Sequence, residues 1–132
     1  MPTTAARAVD PEGRNDARPE RGAALLYTRV VEEARRVLTA QELAEVTGVK
    51  LRAVQNWASG NARPEGIQRS RLLETQYVIE QLGDVYDTEG IEIWMHRPNR
   101  RLEHRRPVDA LRQGDFENVL RLVDDLAGGP RR

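Results

Sequence analysis

The sequence contains no cysteine, which removes disulfides and thiolate metal sites from consideration. Aromatic residues are scarce at 5% of the chain, and among 21 basic residues only Lys50 is a lysine. No apolar run approaches the ~20 residues that a bilayer-spanning helix requires, and no basic start leads into an apolar stretch as in a secretory signal. A cytoplasmic protein with no membrane contact is the simple expectation. Ser59 and Ser70 are the only serines, no G-x-S-x-G elbow occurs, and no glycine-rich loop follows a strand pattern, so an enzyme is not expected. His96 and His104 stand on either side of Pro98 without an H-E-x-x-H spacing or a matching carboxylate, which argues against a metal. No catalytic residue and no cofactor is expected.

The chain has 132 residues, enough for one domain or a small module with an extension. Its formal net charge is zero, so attraction to a polyanion has to be local. The charge is banded. Residues 50–71 hold Lys50, Arg52, Arg63, Arg69 and Arg71 against Glu65 alone. Residues 72–96 carry Glu74, Glu80, Asp84, Asp87, Glu89 and Glu92 with no lysine or arginine, and residues 97–112 return six arginines against Glu103 and Asp109.

Residues 1–22 are rich in proline, glycine and balanced charge, with almost nothing large and apolar to offset the entropy of ordering, and read as a flexible leader. From Ala23 the spacing of Leu26, Val30, Ala34, Val37 and Leu38 predicts an amphipathic helix. Thr39 to Glu42, "TAQE", is a capping box that opens a short second helix, which Gly48 ends. "KLRAVQNWAS" predicts a third, with Leu51, Val54, Trp57 and Ala58 inward and Gly60 closing it. From Glu65 a longer helix follows on Leu72, Leu73, Val78, Ile79, Leu82, Val85 and Tyr86, with Gly83 weakening it and Gly90 marking its limit. "IEIWMH" fits a strand by alternation and a helical turn equally well. Pro107 suits the first turn of another helix, and Phe116, Val119, Leu120, Val123 and Leu126 set the last one. The fold class expected is all-α, without internal repeats.

"LAEVTGVKLRAVQNW" has small Ala44 where two helices would touch, Gly48 four residues on for the turn, and Val49, Val54 and Trp57 to lock the second helix. The stretch resembles the Xre-type helix-turn-helix of phage and bacterial repressors, and "WASGNARP" is similar to that family's recognition-helix exit. The resemblance implies operator DNA as a partner, with Lys50, Arg52, Gln55, Asn56 and Ser59 facing outward from the second helix. Arg52 and Asn56 are the expected base readers, because a guanidinium pairs bidentately with guanine and a carboxamide with adenine. Arg63 and Arg69 would hold phosphates. One departure is Lys50 at the helix start, where a serine or threonine cap is common and an ammonium cannot accept a backbone hydrogen bond. The plainer reading is a packed helical hairpin with solvated charges, in which Trp57 belongs to the core.

Beneath the six arginines of residues 97–112 runs a frame of Trp94, Pro98, Asn99, Leu102, Pro107, Leu111 and Gly114. The pattern W-x-x-x-P-N-x-x-L-x-x-x-x-P-x-x-x-L-x-x-G resembles the toxin-binding domain of the MbcA/ParS/Xre antitoxins, the partners of RES-domain toxins. The resemblance runs from about Val37 to Leu126. It implies a homodimer of helices, a bound RES toxin that consumes or transfers from NAD, and repression of the pair's own promoter. Trp94 and Leu102 are expected to anchor a helical corner stiffened by Pro98 and Pro107, with Asn99 satisfying backbone groups. Arginine suits protein interfaces, so Arg97, Arg100 and Arg101, with Asn99, are the expected toxin contacts. The resemblance also suggests that the chain end, Gly128, Gly129, Pro130, Arg131 and Arg132, reaches into the toxin's cleft, against the plainer reading of a frayed terminus. The expected organisation is a leader (1–22), a helix-turn-helix region (23–71), a toxin-binding and dimerising region (72–127) and a tail (128–132). A stand-alone Xre-like repressor and a protein-interaction adaptor without DNA binding are the alternatives.

Overall fold

The computed structural model describes residues 14–128, and these contain seven α-helices, one 3-10 turn and no strand. Helix α1 spans Arg14–Ala34, so it starts nine residues before the expected Ala23. The last part of the expected leader, residues 14–22, is therefore helical, while 1–13 lie outside the described residues. Extending a helix from an anchored stretch adds one hydrogen bond per residue fixed, whereas starting one is costly; Ala24, Val30, Val31 and Ala34 supply the buried anchor. Leu26, expected inward, is 61% exposed. The reason is the end of its neighbour: Thr28 Oγ1 donates to Trp57 O at 3.1 Å, and Gly60, which terminates the facing helix, lies level with Thr28 and Leu25.

Helix α2, Ala40–Thr47, begins with the expected capping box: Glu42 N donates to Thr39 Oγ1 at 3.0 Å and Thr39 N to Glu42 Oε1 at 2.9 Å. It stops at Gly48, whose φ of +81° is a left-handed conformation that a side chain would strain. Helix α3, Leu51–Ser59, follows directly, and Lys50 at its N-cap makes no side-chain cap bond. Val54 and Trp57 point into the core, while Leu51 is 37% exposed instead of packed inward. Helix α4, Gly66–Leu82, packs against α1, α2 and the last helix, which joins the buried residues of both halves into one cluster.

Helix α4 ends at Gly83, not near Gly90. Val85 and Tyr86, expected on its apolar stripe, lie in an exposed connection, because Asp87 starts a new helix by accepting from Gly90 N at 2.9 Å. Gly90 is thus inside α5, Thr88–Met95, where a Cβ would come within 2.9 Å of Tyr86 Cβ. "IEIWMH" is helical up to Met95, with Ile91 and Met95 buried and Trp94 half-buried. The 3-10 turn Arg100–Leu102 leads to α6, Pro107–Arg112, with Pro107 at its first position, and α7, Phe116–Leu126, capped by Asp115. No helix among the described residues is long and apolar enough to cross a membrane.

Candidate functional site

Two surfaces gather the residues singled out in the sequence. On α3, Lys50, Arg52, Gln55 and Ser59 are exposed, and Asn56 is half-buried. Positions 52, 55 and 59 recur at helical spacing, so one face presents them together. Asn56 also has a backbone task, since its carbonyl accepts from Asn61 N at 2.9 Å and from the Ser59 hydroxyl at 3.2 Å as the helix exits. Arg63 and Arg69 meet at a cleft of about 420 Å3 that Tyr27, Pro64, Glu65 and Gly66 also line. The structure brings both expected phosphate holders to one place beside the exit of α3.

The arginine segment divides by what each guanidinium touches. Arg105 donates to Leu102 O at 2.9 Å, Gln113 Oε1 at 3.0 Å and Asp115 Oδ2 at 2.8 Å, and so ties the corner internally. Arg106 holds Asp109 in a two-pronged contact at 2.7 and 3.0 Å, the paired geometry that a planar guanidinium favours. Arg112 bridges Asp109 at 2.8 Å and Glu45 of α2 at 2.7 Å. The hydrogen bond from Arg106 is the first cause that holds the Asp109 carboxyl below its ordinary range. Asp115 is lowered as well, first by Asn118 and then by Arg105, and Glu45 by Gln41 and then Arg112.

Of the expected toxin contacts, Arg97 and Arg100 are exposed with no side-chain partner among the described residues. Arg101, also exposed, reaches Asp125 of α7 at 2.7 Å. Asn99 works inside the corner: its side chain accepts from Arg101 N at 2.9 Å, its N–H donates to Arg105 O at 3.0 Å, and its carbonyl accepts from His104 N and Leu102 N, both at 2.9 Å. Those bonds hold Glu103 and His104 at the positive φ values of 59° and 69°, a conformation few side chains adopt. Leu102 is buried beneath the corner. Gly128 is exposed at the end of α7, and Gly129, Pro130, Arg131 and Arg132 lie outside the described residues.

Two contacts between distant elements escaped the sequence reading. His96 Nε2 lies 3.0 Å from Glu42 Oε2, joining α5 to the capping box of α2. The Arg71 guanidinium packs between the turns at Gly48 and Gly114, beside the C-terminal ends of α2 and α6. The capping-box signal named Glu42 for one partner only, and nothing local in the sequence pairs Arg71 with turns more than twenty residues away on one side and forty on the other.

Residues 81–129 match the family described as the antitoxin Xre/MbcA/ParS C-terminal toxin-binding domain. Over 92 residues the chain is 37% identical to the mycobacterial cidal antitoxin MbcA of Mycobacterium tuberculosis, a match that spans 70% of this chain and 81% of that protein. A probable mycobacterial cidal antitoxin of the same organism is 33% identical over 92 residues, spanning 70% of this chain and 78% of its own. The fold is similar to a chain in the crystal structure of the M. tuberculosis MbcT-MbcA toxin-antitoxin complex, with a TM-score of 0.64 and 34% identity over 80% of this chain and 96% of that one. With this level of identity over most of a curated relative, and the same helical fold, the chain belongs to the Xre/MbcA/ParS family of antitoxins.

Proposed function

We propose that this protein is the antitoxin of a toxin–antitoxin pair, binding and neutralising an RES-domain toxin that consumes NAD. The single observation that carries the reading is the fold likeness, at 34% identity, to a chain of the MbcT-MbcA toxin-antitoxin complex. The toxin-binding region is residues 72–127, and Arg97 and Arg100 on the Asn99-stapled corner are its charged contacts, joined by Arg101. What supports them is geometry: two guanidiniums without partners among the described residues stand on a turn held by four hydrogen bonds at Asn99. Rigid display of that kind lowers the ordering cost of docking. The tail, Gly128 to Arg132, blocks the pocket in which the toxin accepts its phosphate-bearing dinucleotide.

The region 23–71 represses the pair's own operon as a homodimeric helix-turn-helix in the cytoplasm. Supporting this half are the exposed Lys50, Arg52 and Gln55 on one short helix and the Arg63–Arg69 cleft at its exit. Arg52 and Asn56 read bases and the other basic residues hold phosphates. The test is growth of cells that express the proposed RES-domain toxin. Coexpression of this chain is expected to restore growth, and cells that stay arrested despite folded antitoxin would overturn the reading. Operator retention without toxin rescue would favour a stand-alone repressor, and toxin rescue without DNA binding an adaptor.

A further inference from the structure

The cleft between the end of α1 and α5, about 540 Å3, is floored by a pairing that the antitoxin reading leaves unused. His96 caps the C-terminus of α5 and turns its ring toward α2. Its Nε2 lies 3.1 and 3.0 Å from the two Glu42 carboxylate oxygens, and its Nδ1 lies 2.8 Å from the Glu92 carbonyl oxygen of its own helix. Both neighbours are acceptors, so a ring N–H that faces either one satisfies it by donating. Glu42 Oε1 in turn accepts from Thr39 N at 2.9 Å, the back-bond of the capping box. One carboxylate therefore closes the first turn of α2 and receives the imidazole of α5. The two side chains are 27% and 16% exposed, which shields the contact more than a surface pair.

A second tie runs along the same edge of α2. Glu45, three residues on, receives Arg112 of α6 at 2.7 Å. Helix α3 follows α2 after only Gly48, Val49 and Lys50. Any shift of α5 relative to α2 changes the surroundings of the group that caps α2, and through α2 the mounting of α3.

We propose that the His96–Glu42 pair is the link through which a displacement of α5 reaches the first turn of α2. Drawing His96 away removes a donor from the capping carboxylate, frees it to swing, and loosens the Thr39 back-bond. The inference leans on the antitoxin reading only for what moves α5, namely a toxin seated on the 72–127 region. The link itself belongs to the chain alone and is tested without toxin or DNA.

The experiment is residue-resolved amide hydrogen exchange on the full chain. In His96→Ala the amides of Thr39, Glu42 and Leu43 are expected to exchange roughly five-fold or more faster, as a coupling between distinct elements requires. Because coupling is reciprocal, Thr39→Ala should quicken the amides of His96 and Arg97 at the end of α5. His96→Gln keeps one donor toward Glu42 and is expected to fall between wild type and His96→Ala. Unchanged exchange at α2 in His96→Ala, with acceleration confined to α5, would overturn the proposal. Should His96→Ala fail to fold, Glu42→Gln decides: it retains an oxygen for Thr39 N and loses the charge facing His96, so α5 must exchange faster and an unchanged α5 refutes the link. A chain that shows the coupling but binds no toxin would sink the antitoxin reading and leave the link standing.

Discussion

Arg71 lies directly against Gly48: a Cβ on that glycine would stand 3.1 Å from Arg71 Nη1. Its other terminal nitrogen faces Gly114, where a Cβ would be 3.7 Å from Nη2. Gly48 is the C-cap of α2, and Gly114 follows Gln113, the C-cap of α6. One guanidinium thus sits beside two helix ends whose carbonyl dipoles favour a cation.

That arrangement makes Gly48 intolerant of substitution for two independent reasons. Gly48→Ala puts a side chain at φ +81° and pushes the guanidinium aside, and should cost about 1–2 kcal/mol from the backbone conformation before any displacement of Arg71. Denaturant unfolding of the variant checks it. Stability equal to wild type would mean that the turn relaxes and Arg71 holds nothing.

Gly90 is tested in the same way at a different contact. A Cβ there would be 2.9 Å from Tyr86 Cβ, closer than packed atoms approach, and the nearby atoms belong to the connection and cap that open α5. Gly90→Ala should destabilise the chain by ~1–3 kcal/mol, the usual range for forcing volume into a packed site. An unaltered melting temperature would contradict the packing at α5.

The all-α class and the chemistry of most helix ends were legible in the sequence, because caps and apolar periodicity are local signals. Thr39, Gly48, Gly60 and Pro107 all do what their residue types predict. The errors fall where a neighbouring element or a competing cap decides. Leu26 has an apolar neighbour pattern but no helix to cover it, since α3 runs out at Gly60. The sequence places Gly83 inside α4 as a weak point and Gly90 at its limit, whereas α4 ends at Gly83 and the Asp87 cap on Gly90 N opens a new helix. The arginine segment was legible as a charged corner, yet the division into internal ties (Arg105, Arg106, Arg112) and arginines without a side-chain partner among the described residues (Arg97, Arg100) depends on carboxylates up to 67 positions away.

Acid should dissolve those ties in a definite direction. Asp109 and Asp115 are held below the ordinary value of 3.8, so each contributes stability above that value, and the contribution disappears as pH falls through the lower folded-state value. Asp109→Asn is therefore expected to melt at a lower temperature than wild type at neutral pH, and the gap should close in solutions more acidic than 3.8. Thermal melts across that range provide the check. A constant gap into strong acid would show that the Arg106–Asp109–Arg112 cluster does not stabilise the fold through charge.

DNA recognition is tested on α3. Arg52→Ala should weaken binding to the chain's own promoter by ~1–3 kcal/mol and relax the preference at one base pair, as removal of a bidentate base contact does. Arg69→Ala should instead lower affinity for all sequences and flatten the salt dependence. Gel-shift titrations at several salt concentrations separate the two. Identical behaviour of both variants and wild type would remove DNA from the proposed function.

The tail is tested by deletion. Removing Gly128 to Arg132 should weaken protection against the toxin while leaving the melting temperature near that of the full chain, since these residues follow the last helix. Growth assays beside thermal melts read both. Full protection without the tail would confine neutralisation to the helical body.

The most direct measurement is a calorimetric titration of the purified chain with the proposed RES-domain toxin, comparing wild type with the double variant Arg97→Glu, Arg100→Glu. Saturable binding by wild type, weakened at least ten-fold in a variant that remains folded, is the predicted result. Equal affinity of both would move the interface away from the corner, and no binding by the folded wild-type chain would contradict the antitoxin account itself.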